Sequence, residues 1–299
     1  MNRKIVQIVA TLAANCAFLL GQPFPGRIYQ GFLKQGCSPG LNCYACPYAV
    51  LACPIGSLQY FAAGVFYRLS FYVSGFLILV GTLTGRLVCG WICPFGLVQD
   101  LLHRLPSRKI LLPPRLRHLR WAALFLLVFL LPALTGKPSF CRFLCPAGAL
   151  EAGVPMAVFN PAVRETIGLL YGIKIAFLLL FAGGAVFVFR LFCQTACPLG
   201  LIYGLFNRVA VWGLEYDPDR CARCGACARA CPVSLNPSAG DYRSSACIRC
   251  LQCLRACPRA CFRFGTVVFP AGRITRRRRK VTPQLRGGEN TRTASLDAM

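Results

Sequence analysis

Four long apolar stretches, separated by polar and basic loops, dominate the pattern of hydrophobic and polar positions in this chain. A helix that crosses a bilayer needs about 20 apolar residues, within a range of about 17–25. The pattern therefore predicts about four transmembrane helices, near residues 5–21, 58–85, 120–136 and 167–189. Two alternatives remain open. The second stretch could be a shorter span of about 70–85 behind an interfacial lead-in, and the first could be a signal peptide with Arg3 and Lys4 as its charged region.

The basic residues are distributed unevenly among the loops, and this predicts the orientation of the chain. The first loop carries only Arg27 and Lys34, and the third carries Lys137, Arg142 and Arg164. Lys and Arg collect on the cytoplasmic side of a membrane protein. We therefore expect the middle loop and both termini to face the cytoplasm, at a prokaryotic inner membrane. The middle loop contains Arg86, Arg104, Arg108, Lys109, Arg115, Arg117 and Arg120.

Composition favours electron chemistry over acid–base catalysis and over nucleic-acid binding. The 299 residues are 56% hydrophobic with a mean hydropathy of +0.54, which is more apolar than a soluble domain. Membrane topology accounts for the net charge of +25, so we expect no nucleic-acid partner. There are nine carboxylates and two His against 20 Cys. So many cysteines in so apolar a chain are not typical of a secreted disulfide framework.

Eight cysteines form two tandem copies of the spacing C-x2-C-x2-C-x3-C-P between positions 221 and 258. This is the bacterial ferredoxin pattern for two [4Fe–4S] clusters, in which the fourth Cys of each run ligates the other cluster. Four-Cys zinc sites are the alternative, but two complete copies in tandem favour iron–sulfur clusters. We interpret Cys261 as a packing residue. The predicted ligands are Cys221, Cys224, Cys227 and Cys257 for cluster 1, and Cys247, Cys250, Cys253 and Cys231 for cluster 2.

A second family of cysteines lies in a Cys-Pro-x-Gly motif that follows each apolar stretch. The residue before Pro avoids the helical region, and Pro fits the first turn of a helix. Each motif is therefore predicted to begin a helix, whose partly positive N-terminus suits a net negative four-thiolate cluster. The motifs start at Cys53, Cys93, Cys145 and Cys197, and the last three extend to C-x3-C-P pairs, Cys89/Cys93, Cys141/Cys145 and Cys193/Cys197, at a repeat of 52 residues.

The predicted topology decides which of these cysteines can meet. The pairs after the second and fourth spans share the cytoplasmic side, where they would supply four ligands for a third cluster: Cys89, Cys93, Cys193 and Cys197. Buried cysteines in packed helices are the alternative for this group.

The opposite side brings together the third pair and the cysteine-rich stretch 37–53. A disulfide is the alternative to a metal site there, because that side can be oxidising. For a further cluster we expect Cys43, Cys46, Cys141 and Cys145, or Cys53 in place of one of them, with Cys37 least favoured.

The segments GRLVCGWICPFGLVQD (85–100) and LFCQTACPLGLIYG (191–204), followed by the two ferredoxin runs, resemble the NapH family. This group of polyferredoxin-like membrane proteins includes NosR-type and cytochrome-oxidase-assembly relatives, and the resemblance covers residues 1–265. It implies four spans, cytoplasmic motifs at Cys89/Cys93 and Cys193/Cys197, and electron transfer between the quinone pool and a partner. The third pair and the stretch 37–53 depart from the basic family pattern.

The sequence therefore predicts a membrane domain at 1–212, a cytoplasmic 2[4Fe–4S] ferredoxin domain at 213–265 and a basic, disordered tail at 266–299. The predicted function is a membrane-bound electron relay, such as a quinol dehydrogenase subunit, between the quinone pool or an outer-face partner and a redox partner protein. Quinone is a further candidate cofactor. The alternatives are a maturation factor that reduces a metal or thiol for another redox enzyme, and a redox-sensing membrane regulator.

Overall fold

The computed structural model describes residues 2–20, 27–64 and 67–267, with the backbone alone described at 67–70. The described residues belong to one compact and mostly helical unit. The tail expected at 266–299 lies outside the described residues from position 268 onward. The boundary expected between 212 and 213 stays a prediction.

In the N-terminal half, long apolar helices alternate with short helices that begin at or near a Cys-Pro pair. The side chain of Asn2 caps the first helix by accepting a hydrogen bond from the Lys4 N–H (3.3 Å). These helices are α1 (Arg3–Ala14), α2 (Pro54–Ala62), α3 (Tyr67–Thr84), α4 (Leu87–Trp91), α5 (Pro94–Leu102) and α6 (Pro114–Thr135).

The C-terminal half repeats this alternation and then gives way to small elements. Its helices are α7 (Phe140–Leu144), α8 (Pro146–Gly148, continuing through Ala149–Gly153 and Val154–Phe159), α9 (Pro161–Glu165), α10 (Leu169–Phe187), α11 (Leu191–Thr195), α12 (Pro198–Leu205), α13 (Ala226–Arg229) and α14 (Gln252–Arg255). Two strands, β1 (Trp212–Tyr216) and β2 (Phe262–Thr266), pair antiparallel with Trp212 opposite Thr266.

Within the described residues, three helical segments are long and apolar enough to cross a membrane: Arg3–Leu20, Pro114–Thr135 and Leu169–Phe187. A shorter apolar segment, Phe71–Thr84, lies within α3. The second apolar stretch is therefore not one helix from 58 to 85. It divides into α2 and α3 because Gly64 adopts φ +75°, a left-handed conformation that ends α2. The alternative of a shorter second span agrees better with α3.

The long helices share two ends, which we call the ferredoxin end and the distal end. At the ferredoxin end, Arg3 pairs with Asp100 of α5 (2.9 Å), and the carbonyl of Thr84, the last residue of α3, accepts from Arg249 (3.1 Å). At the distal end, the carbonyl of Ala14, the last residue of α1, accepts from the Val50 N–H (3.1 Å). The loop before α2 therefore lies opposite the ferredoxin runs along the helix axes.

The β1–β2 ribbon flanks the ferredoxin runs, which pack against the ferredoxin end of the bundle. Their segment 245–249 approaches two glycines closely: a Cβ at Gly90 would lie 2.5 Å from the Ile248 carbonyl oxygen, and one at Gly204 would lie 2.5 Å from that of Ser245. The Trp91 indole N–H donates to the Arg249 carbonyl (3.1 Å). Small residues at these positions therefore allow backbone to pack against helix without a gap.

Candidate functional site

Every Cys-Pro-x-Gly motif begins a helix, as the sequence predicts. Cys53, Cys93, Cys145 and Cys197 are the N-cap residues of α2, α5, α8 and α12, and the following Pro is the first helical residue in each case. The Cys145 and Cys197 sulfurs accept from the N–H groups of Gly148 (3.4 Å) and Gly200 (3.3 Å). Local sequence thus directs each thiol toward free backbone donors of its own helix.

Cys89, Cys93, Cys193 and Cys197, which we call the proximal set, converge at the ferredoxin end. All four are buried in one apolar core. Burial, followed by the nearby thiols of Cys193 and Cys89, raises the pKa of Cys93 to about 12. Burial and the other three thiols of the set likewise raise the pKa of Cys197. The two cytoplasmic C-x3-C-P pairs are therefore brought together as expected.

Two fully buried arginines surround the proximal set with positive charge. Arg190 donates to the Cys89 carbonyl and forms a two-pronged pair with both carboxylate oxygens of Asp100 (2.6 Å each). Arg86 donates to the Cys193 carbonyl (2.5 Å). Among the described residues, Asp100 is the one carboxylate paired with these two groups, and it is shared with Arg3, so the surroundings favour a negatively charged occupant.

A buried glutamine fixes one thiol of the proximal set. The Gln99 side chain, 1% exposed on α5, donates to the Cys193 sulfur (3.0 Å) and accepts from the Phe192 N–H (3.1 Å). The bond from the Phe192 N–H therefore orients the amide so that its NH2 group donates to the sulfur. A hydrogen bond to a ligating sulfur stabilises the more negative, reduced state of an iron–sulfur cluster.

We expect Gln99→Leu to lower the midpoint potential of the cluster at the proximal set. A hydrogen bond to a charged acceptor is worth about 1.5–3 kcal/mol, which corresponds to about 65–130 mV for a one-electron couple and is an upper bound here. EPR-monitored redox titration measures the shift. The matched control is Gln194→Leu, because the Gln194 amide donates to the Phe189 carbonyl instead of a sulfur. Equal midpoint potentials in the wild type and the Gln99 variant would contradict this role.

Cys43, Cys53, Cys141 and Cys145, which we call the distal set, converge within the bundle beside the proximal set, on its distal side. Burial, followed by the thiols of Cys141, Cys43 and Cys53, raises the pKa of Cys145. A Cβ at Gly148 would lie 3.5 Å from the Cys43 sulfur and 3.7 Å from that of Cys145. Of the two options left open by the sequence, the structure thus brings Cys53 into the group.

The other two cysteines of this loop point elsewhere. Cys46 donates toward the Asn15 side chain (3.8 Å), beside the end of α1. Cys37 lies in a short bridge opposite Ala52. Neither approaches Cys145 as Cys43 does, so the expectation that includes Cys46 is less well supported than the one that includes Cys53.

The ferredoxin runs repeat one backbone conformation at an interval of 26 residues. Arg223 and Arg249, each directly before the second Cys of its run, both have positive φ (54° and 50°), and so do Ser234 and Ala260 (52° and 48°). Non-glycine residues seldom adopt this conformation. Its recurrence at matching positions shows that both runs fold around their cysteines in the same way.

The four cysteines expected for cluster 2 line one apolar cavity. Its wall includes Leu214, Val233, Leu235 and Tyr242 in addition to Cys231, Cys247, Cys250 and Cys253. This is the donor set that a cluster requires, in apolar surroundings.

The cysteines expected for cluster 1 lie nearer the surface. Cys227 is buried, Cys221 and Cys257 are half-buried, and Cys224 is exposed. Cys261 is buried, as expected of a packing residue, and its N–H donates to the Cys257 sulfur (3.4 Å).

The donor sets fit clusters better than single ions. Among the described residues, no three Cys, His, Asp or Glu side chains are close enough to hold one common metal ion. A [4Fe–4S] cubane places each thiolate on a different iron atom, so its ligands are spaced more widely. Burial raises the pKa of Cys53 and of Cys247 to about 12. These thiols are therefore protonated at neutral pH without metal, and cluster insertion must displace their protons.

Sequence reasoning missed the position that the polar residues beside these sets share, although a signal was present. Six positions after each Cys-Pro cysteine stand Gln59, Gln99, Glu151 and Tyr203. Glu151 accepts from the Cys43 N–H (2.7 Å), and the fully buried Tyr203 hydroxyl has no partner in the described structure. Burial raises the pKa of Glu151 to about 8. The shared offset would have identified this row of side chains from the sequence.

Two family models match the regions that carry these cysteines. A model described as "4Fe-4S binding domain" matches residues 69–113, 117–154 and 172–215, one match for each C-x3-C-P unit. A model described as "4Fe-4S dicluster domain" matches residues 213–258. The chain therefore carries 4Fe–4S domains in both its helical bundle and its C-terminal module, and [4Fe–4S] clusters are its cofactors.

Among curated relatives, the methylamine utilization ferredoxin-type protein MauN of Methylobacillus flagellatus is 28% identical over 236 residues, covering 78% of this chain and 75% of MauN. An uncharacterized protein of Methanocaldococcus jannaschii is 23% identical, covering 53% of this chain and 56% of that protein. The regulatory protein NosR of Pseudomonas aeruginosa is 29% identical, covering 48% of this chain and 20% of NosR. The chain thus spans only part of these relatives. No solved structure matches.

Proposed function

We propose that this chain, a NapH/NosR-like ferredoxin-type membrane protein, is an electron relay between a donor at the helical bundle and a redox partner at the ferredoxin module. Each [4Fe–4S] cluster supplies one-electron chemistry when bound. The observation that carries the proposal is the order of the thiol sets, because each described set adjoins the next.

The step from the proximal set to cluster 2 is supported by direct contact. Trp91 lies between the two cysteines of the first proximal pair and bonds the carbonyl of Arg249, the residue before Cys250. The charges nearest Cys250 include Arg190 and Asp100, which also border the proximal set. Trp91 and Arg249 thus join the first proximal pair to the backbone beside Cys250.

The step from cluster 2 to cluster 1 is supported by a shared core. Cys253 and Cys227, one from each expected ligand set, pack into the same apolar cluster with Leu214 and Phe262. Beyond them Cys224 is exposed, next to the exposed Arg223. An exposed ligand flanked by positive charge is a suitable exit toward a partner with an acidic surface.

We propose quinol as the class of donor that reduces the bundle. We also propose that the ferredoxin module and both termini lie on the cytoplasmic side. The apolar helices and the basic middle loop support membrane insertion in that orientation. The four spans would then be α3 and the three longer candidates. The chain then acts as a subunit of a quinol dehydrogenase.

The test is anaerobic reduction of the purified, cluster-loaded chain by a water-soluble quinol analogue. We expect the visible absorbance of the oxidised clusters to bleach, and we expect Cys93→Ser to stop reduction of the ferredoxin module. Indifference to quinol would contradict quinol as the donor. Reduction of a metal ion or thiol instead would support a maturation factor, and partner binding that depends on redox state without turnover would support a regulator.

A further inference from the structure

We propose that the distal set, Cys43, Cys53, Cys141 and Cys145, holds a second [4Fe–4S] cluster of the bundle, in a site that repeats the proximal one with a substituted fourth ligand. The role of this cluster in electron transfer rests on the relay proposed above, whereas its ligand set is argued from geometry alone.

The first argument is a duplicated glutamine contact. Gln59 of α2 is fully buried, donates to the Cys141 sulfur (3.0 Å) and accepts from the Phe140 N–H (2.8 Å). Gln99 of α5 makes the same two bonds, at matching positions, with Cys193 and Phe192. Two buried amides that each bond a thiol and the backbone beside it indicate that the two thiol groups serve the same purpose.

The second argument concerns the missing fourth ligand. In the proximal set, Cys89 lies four residues before the Cys-Pro cysteine of α5. The corresponding position before α2 is Ala49, which has no thiol. Cys43 lies where a replacement is needed, since it shares contact with Gly148 of the Cys145 motif. Its N–H is held by Glu151, six residues after Cys145, so α8 fixes the position of this loop ligand (2.7 Å).

The two sets are also close enough to exchange electrons. A Cβ at Gly40 would lie 3.0 Å from the Cys93 Cα, and Cys43 follows only three residues later, a span of at most about 11 Å of extended chain. The rings of Phe140 and Phe192, each directly before a thiol of its set, have centroids 6.5 Å apart. A cluster at the distal set would therefore extend the relay by one step, from the proximal set toward the distal end of the bundle.

Iron and acid-labile sulfide per full-length chain, purified anaerobically, test the assignment. We expect Cys43→Ala and Cys53→Ala each to lose about four Fe, one cubane, whereas the matched variants Cys46→Ala and Cys37→Ala lose none. The EPR signals of the proximal set and of the ferredoxin module should persist in all four variants. A loss in the Cys46 variant equal to that in the Cys43 variant would overturn the ligand set.

Unchanged iron in the Cys43 and Cys53 variants would overturn the site itself, as would thiols there that resist alkylation until a disulfide is reduced. Gln59→Leu provides a second test if a cysteine variant does not fold. It should shift the midpoint potential of one cluster, and this cluster should differ from the one shifted by Gln99→Leu. These readouts concern metal content and potential, so they stand even if quinol proves not to be the donor.

Discussion

Replacing Cys93 by serine is expected to remove the cluster of the proximal set while leaving the two clusters of the ferredoxin module in place. The thiol caps α5 and belongs to a group of four buried cysteines. A serine hydroxyl is a harder and weaker ligand for iron than a thiolate, and three remaining thiolates do not complete the site. Iron should fall by about four per chain.

The same change is expected to disconnect the helical bundle from the ferredoxin module, because the proximal set is the group of thiols that adjoins Cys250 through Trp91 and Arg190. Electron delivery to cluster 2 should fall by orders of magnitude, as measured by stopped-flow reduction. The matched control is Cys16→Ser. Its sulfur bonds only the Ala13 carbonyl (3.1 Å) in the described structure and belongs to none of the four sets. Full iron content in the Cys93 variant would contradict a cluster at this position.

The sequence predicts these sites well where neighbouring residues determine the local backbone conformation. The ferredoxin spacing and the Cys-Pro pairs determine local backbone, so the helix caps at Cys53, Cys93, Cys145 and Cys197 follow from proline geometry alone. The orientation of the loops also predicts that Cys89 and Cys93 meet Cys193 and Cys197, because both pairs follow helices that run in the same direction, and the structure brings these four thiols together.

The rest depends on tertiary packing that no local pattern encodes. Our choice of Cys43 over Cys46 rests on contacts with Glu151, more than 100 residues away, and with the small Gly148. The break between α2 and α3 depends on one left-handed glycine inside an apolar stretch. The close contact between the ferredoxin module and the bundle depends on Gly90, which a hydropathy pattern does not distinguish from other small residues.

The guanidinium of Arg86 forms hydrogen bonds to both the ferredoxin module and the bundle. The residue is fully buried at the start of α4. It donates to the carbonyls of Ser245 (2.8 Å) and Ala246 (3.2 Å) in the ferredoxin runs, and to that of Cys193 in the proximal set (2.5 Å). Its backbone N–H is held by Asn207 (2.9 Å). One side chain therefore joins both cluster regions.

We expect Arg86→Met to destabilise the docked module while leaving its cysteines intact. Methionine keeps an unbranched apolar stem but removes the donor that Arg86 supplies to the Ala246 and Cys193 carbonyls, at a cost of about 1–3 kcal/mol for each one that stays buried and unpaired, whereas the Ser245 carbonyl keeps its bond from Arg120 (3.1 Å). The midpoint of heat denaturation should fall, and the segment 244–250 should become sensitive to proteolysis. Ferredoxin EPR signals should persist, whereas electron transfer from the bundle to cluster 2 should slow.

Arg104→Met is the matched control, because that side chain lies in the exposed loop after α5. It should match the wild type in denaturation midpoint and in transfer rate. If the Arg86 variant kept both its stability and its transfer rate, the contacts of Gly90, Gly204 and Arg120 with the segment 245–249 would suffice to hold the module. Such a result would separate the role of close backbone packing from that of buried charge at the junction between the two cluster regions.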